Sequence, residues 1–115
     1  MPTPPRFRRR RTDRWQVVRV TGASMLPTLR DGDLLLLRRG RTPVVGDVVV
    51  ADLPGARGPG VKRAVALGPD GWWLERDSPA EGTDSWLFGA VPVADVHGVV
   101  RARLWPRPGR LPRRA

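Results

Sequence analysis

Short apolar runs separated by turn residues dominate the hydrophobic pattern of this chain. The run Val48, Val49 and Val50 is β-branched throughout, which favours a buried strand over a helix. No stretch of ten or more residues has a convincing 3.6-residue period, and the one helical turn predicted is 25–29, with Pro27 near its start. The predicted strands lie within residues 15–20, 34–38, 48–50, 61–67, 72–75, 91–100 and 99–104.

Glycine and proline mark the connections between these runs. The segment Gly68-Pro69-Asp70-Gly71 separates two predicted strands and is the clearest hairpin signal in the chain. Residues 51–59 are rich in glycine and proline and predict a loop, and the acidic segment 75–85 predicts a second, turn-rich loop. Many short strands with such turns predict an all-β domain, a small barrel or sandwich with short helical turns.

The length of 115 residues predicts one domain with a core of its own. The absence of cysteine excludes disulfides, thiolate metal sites and cysteine nucleophiles, and a single histidine, His97, argues against a protein-built zinc site. We therefore expect no metal or organic cofactor. No apolar run approaches the roughly 18–20 residues that span a bilayer, and no secretory signal is evident, so we expect a cytoplasmic protein without an integral membrane span.

The net charge of +10 is concentrated at the two ends of the chain. Residues 1–14 contain six arginines and one aspartate, and residues 101–115 contain six arginines and no acidic residue. The sequence therefore predicts disordered basic tails at 1–14 and 107–115 around a nearly neutral domain at 15–106. We expect the tails to contact an anionic membrane or nucleic acid weakly, and five tryptophans leave open a non-enzymatic nucleic-acid-binding domain.

One lysine, Lys62, stands among twenty-one basic residues, and the other twenty are arginine. Arginine keeps its proton in proteins, whereas a buried lysine can become neutral and act as a base. Ser24 lies in a turn after an apolar run, where main-chain N–H groups can face a shared concavity. Together they are the minimum for serine–lysine nucleophilic catalysis. The alternatives are a simple turn serine and a lysine that extends to solvent; nothing places His97 beside Ser24.

Four ordered segments make residues 20–106 resemble the catalytic domain of type I signal peptidases and their serine–lysine relatives. Segment 24–29 resembles the nucleophile box of that family, and segment 62–66 resembles its general-base box. The resemblance implies that Ser24 is the nucleophile and Lys62 the base. The supporting positions that match the family boxes are Met25 and Pro27 in the first box, Asp47 in a Gly-Asp strand box, Arg63 beside the base, and Asp77, Thr83, Asp84 and Ser85 in the last box.

The chain departs from the family pattern at four places. The last box usually opens with Gly-Asp-Asn, whereas this chain has Arg76-Asp77-Ser78. Gly82 occupies the position of a serine that orients the lysine in many relatives, and Thr83 or Ser78 is the expected substitute. Trp86 replaces an arginine that would pair with Asp84, so we expect Asp84 to lack that partner.

Gly22, two residues before the nucleophile, has no side-chain donor for an oxyanion. The resemblance therefore implies an oxyanion hole of main-chain N–H groups, chiefly that of Ser24.

Short relatives without a membrane anchor include the maturation proteases of nickel-type superoxide dismutase, which this chain resembles most. The resemblance implies a serine endopeptidase that removes an N-terminal leader from a precursor protein, with nickel-type superoxide dismutase as the expected precursor. Two other enzyme classes stay open. One is a signal peptidase I-like enzyme that acts on secretory precursors at the membrane face; the other is a self-cleaving, repressor-like domain.

Overall fold

The computed structural model describes residues 14–80, 82–111 and 113–114, and the strands within these ranges form one antiparallel sheet. Helical structure in these ranges comprises α1, Ser85–Phe88, and a 3₁₀ turn at Val93–Asp95. The all-β prediction is therefore confirmed. The strands are β1 Trp15–Arg19, β2 Leu34–Arg39, β3 Val48–Asp52, β4 Pro59–Gly68, β5 Gly71–Glu75, β6 Val96–Trp105 and β7 Gly109–Arg110.

The strands lie in the spatial order β1-β2-β6-β3-β4-β5, with β7 paired to β6. The long strand β6 inserts between β2 and β3 and so joins the first part of the chain to the middle part. The predicted hairpin is present between β4 and β5, with Gly68 opposite Gly71. This order places β4 inside the sheet, with β3 on one side and β5 on the other.

Two clusters of buried apolar side chains form the core. The alternation of side chains along a strand divides β3 between them, since Val48 and Val50 belong to the first cluster and Val49 to the second. Strand β4 likewise contributes Val61 to the first cluster and Ala64 to the second. The two residues between Val61 and Ala64 are therefore held in the interior of the domain on opposite faces of the strand.

The helical turns differ in detail from the sequence prediction. Residues 25–29 form turns rather than a helix, with one hydrogen bond of helical span from the Leu29 N–H to the Met25 carbonyl oxygen at 2.9 Å. The helix in the described ranges is α1, which begins at Ser85, the last residue of the segment predicted as an acidic loop. The Asp84 carboxylate caps α1 by accepting a hydrogen bond from the Trp86 N–H at 3.1 Å, which satisfies a main-chain donor at the helix start.

The described part of the C-terminal segment packs on the domain, which corrects the prediction of a disordered tail at 107–115. Arg110 of β7 pairs with Ala102 of β6, and Leu111 packs against the first core cluster. The Arg114 N–H donates a hydrogen bond of 3.0 Å to the carbonyl oxygen of Gly46, which has a φ of 98°. Main-chain pairing and apolar contact thus hold a segment whose composition alone suggested solvation.

The other tail prediction, residues 1–14, lies outside the described residues except for Arg14. None of the helices in the described part of the chain has the length and apolar character that a bilayer crossing requires.

Candidate active site

Ser24 lies on a turn that two buried neighbours anchor in the first core cluster. Met25 is 1% exposed and Leu29 is fully buried, so their packing in the core holds the turn in place. The chain enters this turn from β1 through Val20, whose N–H donates to the Asp33 carbonyl oxygen at 2.9 Å. The sequence pattern of a polar serine followed by deeply buried apolar residues therefore places the hydroxyl at the boundary between the core and a surface groove.

Lys62 projects from β4 to the same place. Its side-chain Nζ lies 2.8 Å from Ser24 Oγ, although the two residues are 38 positions apart in the chain. Lys62 is 5% exposed, so the alternative of a lysine that extends to solvent is not what the structure shows. Among the described residues, the Ser24 hydroxyl is the hydrogen-bond partner of Nζ.

The surroundings of Lys62 favour its neutral form. Burial lowers the pKa of Lys62 below its ordinary value of 10.5, because an ammonium group loses hydration in the interior. The negative charge of Asp84 opposes this shift and raises the pKa, while the positive charge of Arg76 lowers it further. A lysine with a lowered pKa, hydrogen-bonded to a serine hydroxyl, is the arrangement in which an amine takes the proton of a nucleophile.

A small cavity of about 50 Å³ opens beside this pair, between the end of β1 and the start of β4. Its lining includes Thr21 and Ser24 on one side and Gly60 and Lys62 on the other. In the same turn, the Gly22 N–H donates to Asp31 Oδ1 at 2.8 Å. Within residues 14–80, 82–111 and 113–114, no protein acceptor takes the N–H of Ser24, so this donor is available to a bound group.

Gly82 packs directly against the Ser24 side chain. It has a φ of 103°, and a Cβ built on it would overlap the Cβ of Ser24. A side chain at this position therefore has no room beside the hydroxyl. Of the two substitutes expected to orient Lys62, Thr83 is exposed, while Ser78 donates its N–H to the Ser24 carbonyl oxygen at 2.9 Å. Ser78 thus holds the main chain of the serine rather than the lysine.

Asp84 does have an arginine partner, contrary to the expectation from Trp86. Arg76 Nη1 donates to Asp84 Oδ2 at 3.3 Å, and the Arg76 N–H donates to the same oxygen at 3.2 Å. The arginine comes from the end of β5, eight residues before the aspartate. Trp86 is 75% exposed, and its indole N–H donates to Glu75. Sequence analysis noted Arg76 only as a departure from the opening of the last family box and did not predict this pairing.

Arg63, the neighbour of Lys62, belongs to a different network. Its Nη2 donates to Asp77 Oδ2 at 2.6 Å, its Nε donates to Asp77 Oδ1 at 3.2 Å, and its Nη1 donates to the carbonyl oxygen of Gly46 at 3.0 Å. Thr28, in the nucleophile segment, donates its hydroxyl to Asp77 at 2.6 Å. Asp77 therefore ties the segment that follows Ser24 to the strand that carries Lys62.

The pKa of Asp77 follows from these contacts. Burial alone would raise it, but the hydrogen bonds from Arg63 and Thr28 and the positive charges of Arg63 and Arg114 lower the pKa below its ordinary value. Asp77 is consequently an ionised, paired carboxylate. It contributes to the architecture of the site rather than to proton transfer at Ser24.

The remaining predicted residues contact main-chain groups around the site. Asp47 accepts a hydrogen bond from the Val44 N–H at 2.9 Å and one from Arg113 at 2.8 Å. The Ser85 hydroxyl accepts from the Leu74 N–H at 2.8 Å and so joins α1 to β5. Pro27 lies in the turn between the two buried anchors, in a cis peptide bond with the preceding leucine.

His97 is paired elsewhere, with its Nε2 2.9 Å from Asp52 Oδ1. In the described ranges, no group of three or more histidine, cysteine, aspartate or glutamate side chains is arranged to hold a metal ion.

Comparison with known proteins indicates the family of this chain. The profile of the Peptidase S24-like family matches residues 2–84, a range that includes both Ser24 and Lys62. The mitochondrial inner membrane protease subunit 1 of Schizosaccharomyces pombe is 32% identical over 119 aligned residues, which cover 82% of this chain and 76% of the relative. The protein of the same name from Xenopus tropicalis is also 32% identical, over 79% of this chain and 70% of its own length.

Proposed function

Because the chain belongs to the Peptidase S24-like family, we propose that it is a serine endopeptidase with a Ser24–Lys62 dyad. The observation that carries this proposal is the 2.8 Å contact between Lys62 Nζ and Ser24 Oγ in a buried setting that lowers the pKa of the lysine. Peptidase activity needs a nucleophile and a base in hydrogen-bond contact, and this pair provides both.

In the proposed reaction, neutral Lys62 takes the proton of Ser24 as Oγ attacks the scissile carbonyl carbon. The Ser24 N–H, which has no protein acceptor in the described ranges, donates to the oxyanion of the tetrahedral intermediate. The Lys62 ammonium then protonates the leaving amine as the C–N bond breaks. Water, deprotonated by the same amine, hydrolyses the resulting ester and restores the serine.

The groove beside the dyad suits an extended peptide. Strand β4 pairs with β3 over residues 59–63 and with β5 over residues 63–68. Over residues 59–62, the side of β4 away from β3 consequently has no strand partner among the described residues. An extended substrate can pair with this edge through its main chain, which would fix the position of the scissile bond relative to Ser24.

The substrate we propose is a precursor protein with an N-terminal leader, and the nickel-type superoxide dismutase precursor is the specific candidate. This part of the proposal rests on the sequence resemblance. A cut at a single bond is what such maturation requires, and main-chain pairing along β4 supports a fixed register. A second candidate is a precursor processed at a membrane, which the two relatives favour because both are named as an inner membrane protease subunit.

The test is incubation of the purified enzyme with two full-length precursors, one with a nickel superoxide dismutase leader and one with a secretory leader. Each reaction is run with and without vesicles of anionic phospholipid, and mass spectrometry identifies the new N-termini. We expect one cut in the dismutase precursor that does not depend on vesicles. A vesicle-dependent cut of the secretory precursor would instead support the membrane candidate and a docking role for the basic segments.

The control is Ser24→Ala, a fold-preserving change because the hydroxyl contributes one side-chain hydrogen bond and little packing. Cleavage by Ser24→Ala at the wild-type rate would remove Ser24 from the mechanism. Absence of cleavage of both precursors by a folded wild-type enzyme would contradict the proposed substrates.

A further inference from the structure

Arg76 links three parts of the candidate site. Its Nε donates to the Ser78 carbonyl oxygen at 2.9 Å, and the Ser78 N–H in turn donates to the Ser24 carbonyl oxygen at 2.9 Å. At the other end, its guanidinium and its own N–H both donate to Asp84. The arginine thus connects Asp84 to Ser78 and, through Ser78, to the turn that carries the nucleophile.

Arg76 also affects the charge environment of Lys62. Asp84 and Arg76 are the two charged groups in the described ranges whose fields act on the lysine, and they act in opposite directions. Arg19 lies at the rim of the same cavity and is exposed. Arg63 follows Lys62 on β4, where side chains alternate between faces, and it is neutralised by Asp77. Burial has the largest effect on the pKa of Lys62, and one carboxylate and one guanidinium supply the opposing charges beside it.

We propose that Arg76 is a positioning residue of this site: it holds residues 76–78 against Ser24 and neutralises Asp84, so that no unopposed negative charge acts on the lysine. The kinetic part of this proposal rests on the proposed function, whereas the electrostatic part does not. A carboxylate left without its arginine would favour the ammonium form of a nearby lysine. The enzyme would then need a higher pH to reach the neutral amine.

The single lysine of the chain makes the electrostatic part directly measurable. Protein labelled with ¹³C at lysine Cε gives one lysine signal, whose chemical shift reports the protonation of Lys62. In Arg76→Gln we expect its titration midpoint to rise by about one pH unit, a tenfold change in the fraction of neutral amine at a given pH. In Arg76→Gln/Asp84→Asn the midpoint should return towards the wild-type value.

Two further variants separate this effect from general changes. Asp84→Asn alone should lower the midpoint, and asparagine also caps helices well, so α1 is retained. Arg41→Gln removes an exposed arginine that lies outside the site and should leave the midpoint unchanged. If Arg76→Gln does not fold, the downward shift in Asp84→Asn still tests the same charge balance.

The kinetic arm measures kcat/KM against pH for wild type, Arg76→Gln and Arg76→Lys. We expect the rise of activity with pH to move upward in Arg76→Gln and to stay in place in Arg76→Lys, which keeps the charge. A uniform loss of rate at every pH, with an unmoved Lys62 midpoint, would show that Arg76 is merely structural and would overturn the proposal.

The two arms also distinguish this proposal from the proposed function. An inactive wild type with the expected Lys62 shifts would contradict the peptidase assignment alone. An active wild type with no shift in Arg76→Gln and none in Asp84→Asn would contradict the role of Arg76 alone.

Discussion

Lys62 and Arg63 are adjacent buried basic residues on β4. Their side chains lie on opposite faces of the strand and have different partners. Arg63 is 4% exposed and has its charge met by Asp77 at 2.6 Å and by the Gly46 carbonyl oxygen. Lys62 is 5% exposed and has the Ser24 hydroxyl as its partner in the described ranges. The same strand thus carries one fully paired arginine and one lysine whose partner is a neutral hydroxyl.

The difference shows that one strand can carry a residue for stability, Arg63, directly beside a residue suited to proton transfer, Lys62. A buried ion pair with its hydrogen bonds satisfied holds its groups in place, and removing one partner leaves a costly unpaired charge. A buried amine without an anion in contact is under no such constraint, and it loses its proton more easily. The residue types fit these two roles, because arginine stays charged in the ion pair whereas a buried lysine can become neutral.

The largest expected effect comes from exchanging the two residue types, one position at a time. Lys62→Arg should lower kcat/KM by at least about 10³-fold, because arginine does not become neutral near physiological pH. The matched variant Arg63→Lys should mainly lower stability, since lysine cannot reproduce the two contacts with Asp77. Peptide cleavage assays and urea unfolding measure the two effects. Retention of most activity by Lys62→Arg would make Lys62 an electrostatic residue rather than a base.

Asp77→Asn removes the anion of the buried Arg63–Asp77 ion pair. We expect a loss of about 3–5 kcal/mol in the free energy of unfolding at neutral pH, because Arg63 is left as a buried cation without its anion. The pKa of Asp77 is lowered in the fold, so its stabilisation is complete above its unfolded-state pKa and disappears as pH falls through the folded-state value. Urea unfolding at several pH values should therefore show the difference from wild type narrowing on acidification.

The control for this prediction is Asp70→Asn at the exposed tip of the β4–β5 hairpin. Its unfolding free energy should match that of wild type. Equal losses in both variants would show that the Arg63–Asp77 pair has no special contribution.

Gly82→Ser tests how tightly the chain packs around Ser24 beside Lys62. The new side chain would overlap Ser24 and should displace its hydroxyl from Lys62, which we expect to lower kcat by about 10²-fold. Gly55→Ser is the matched control, since Gly55 also has a positive φ, of 76°, but has open space around it. Higher activity in Gly82→Ser than in wild type would mean that a serine here orients the lysine, as the family pattern implies.

The smallest effect should appear in the stability of Lys62→Met. The pKa of Lys62 is lowered in the fold, so below that value the folded state carries the energetic cost of a buried ammonium. This cost is relieved as pH rises from the folded-state pKa towards the ordinary value of 10.5. Lys62→Met should thus raise Tm by a few degrees at neutral pH, with a gain that shrinks in alkaline solution. Thermal melts across pH check this, and a pH-independent gain would contradict it.

Much of the fold could be predicted from the order of apolar runs and turns. The β-branched run Val48-Val49-Val50 in β3 and the glycine-bounded hairpin after β4 are local signals, because strand propensity and turn chemistry act over a few residues. Residue chemistry likewise indicated Ser24 and Lys62 as a candidate pair. The C-terminal strand β7 could not be predicted in this way, since its stability comes from pairing with β6 and from the contact of Leu111 with the core.

The sequence by itself determined which groups are available for chemistry: one serine in an anchored turn, one lysine, and arginine wherever a fixed charge is tolerated. Only the tertiary structure decided which of them meet. It brought Lys62 into contact with Ser24, 38 residues away in the chain. It also paired Asp84 with Arg76 instead of an arginine at position 86. The physical reason is that contact and burial, which set pKa values and partners, depend on strand order and packing between distant segments.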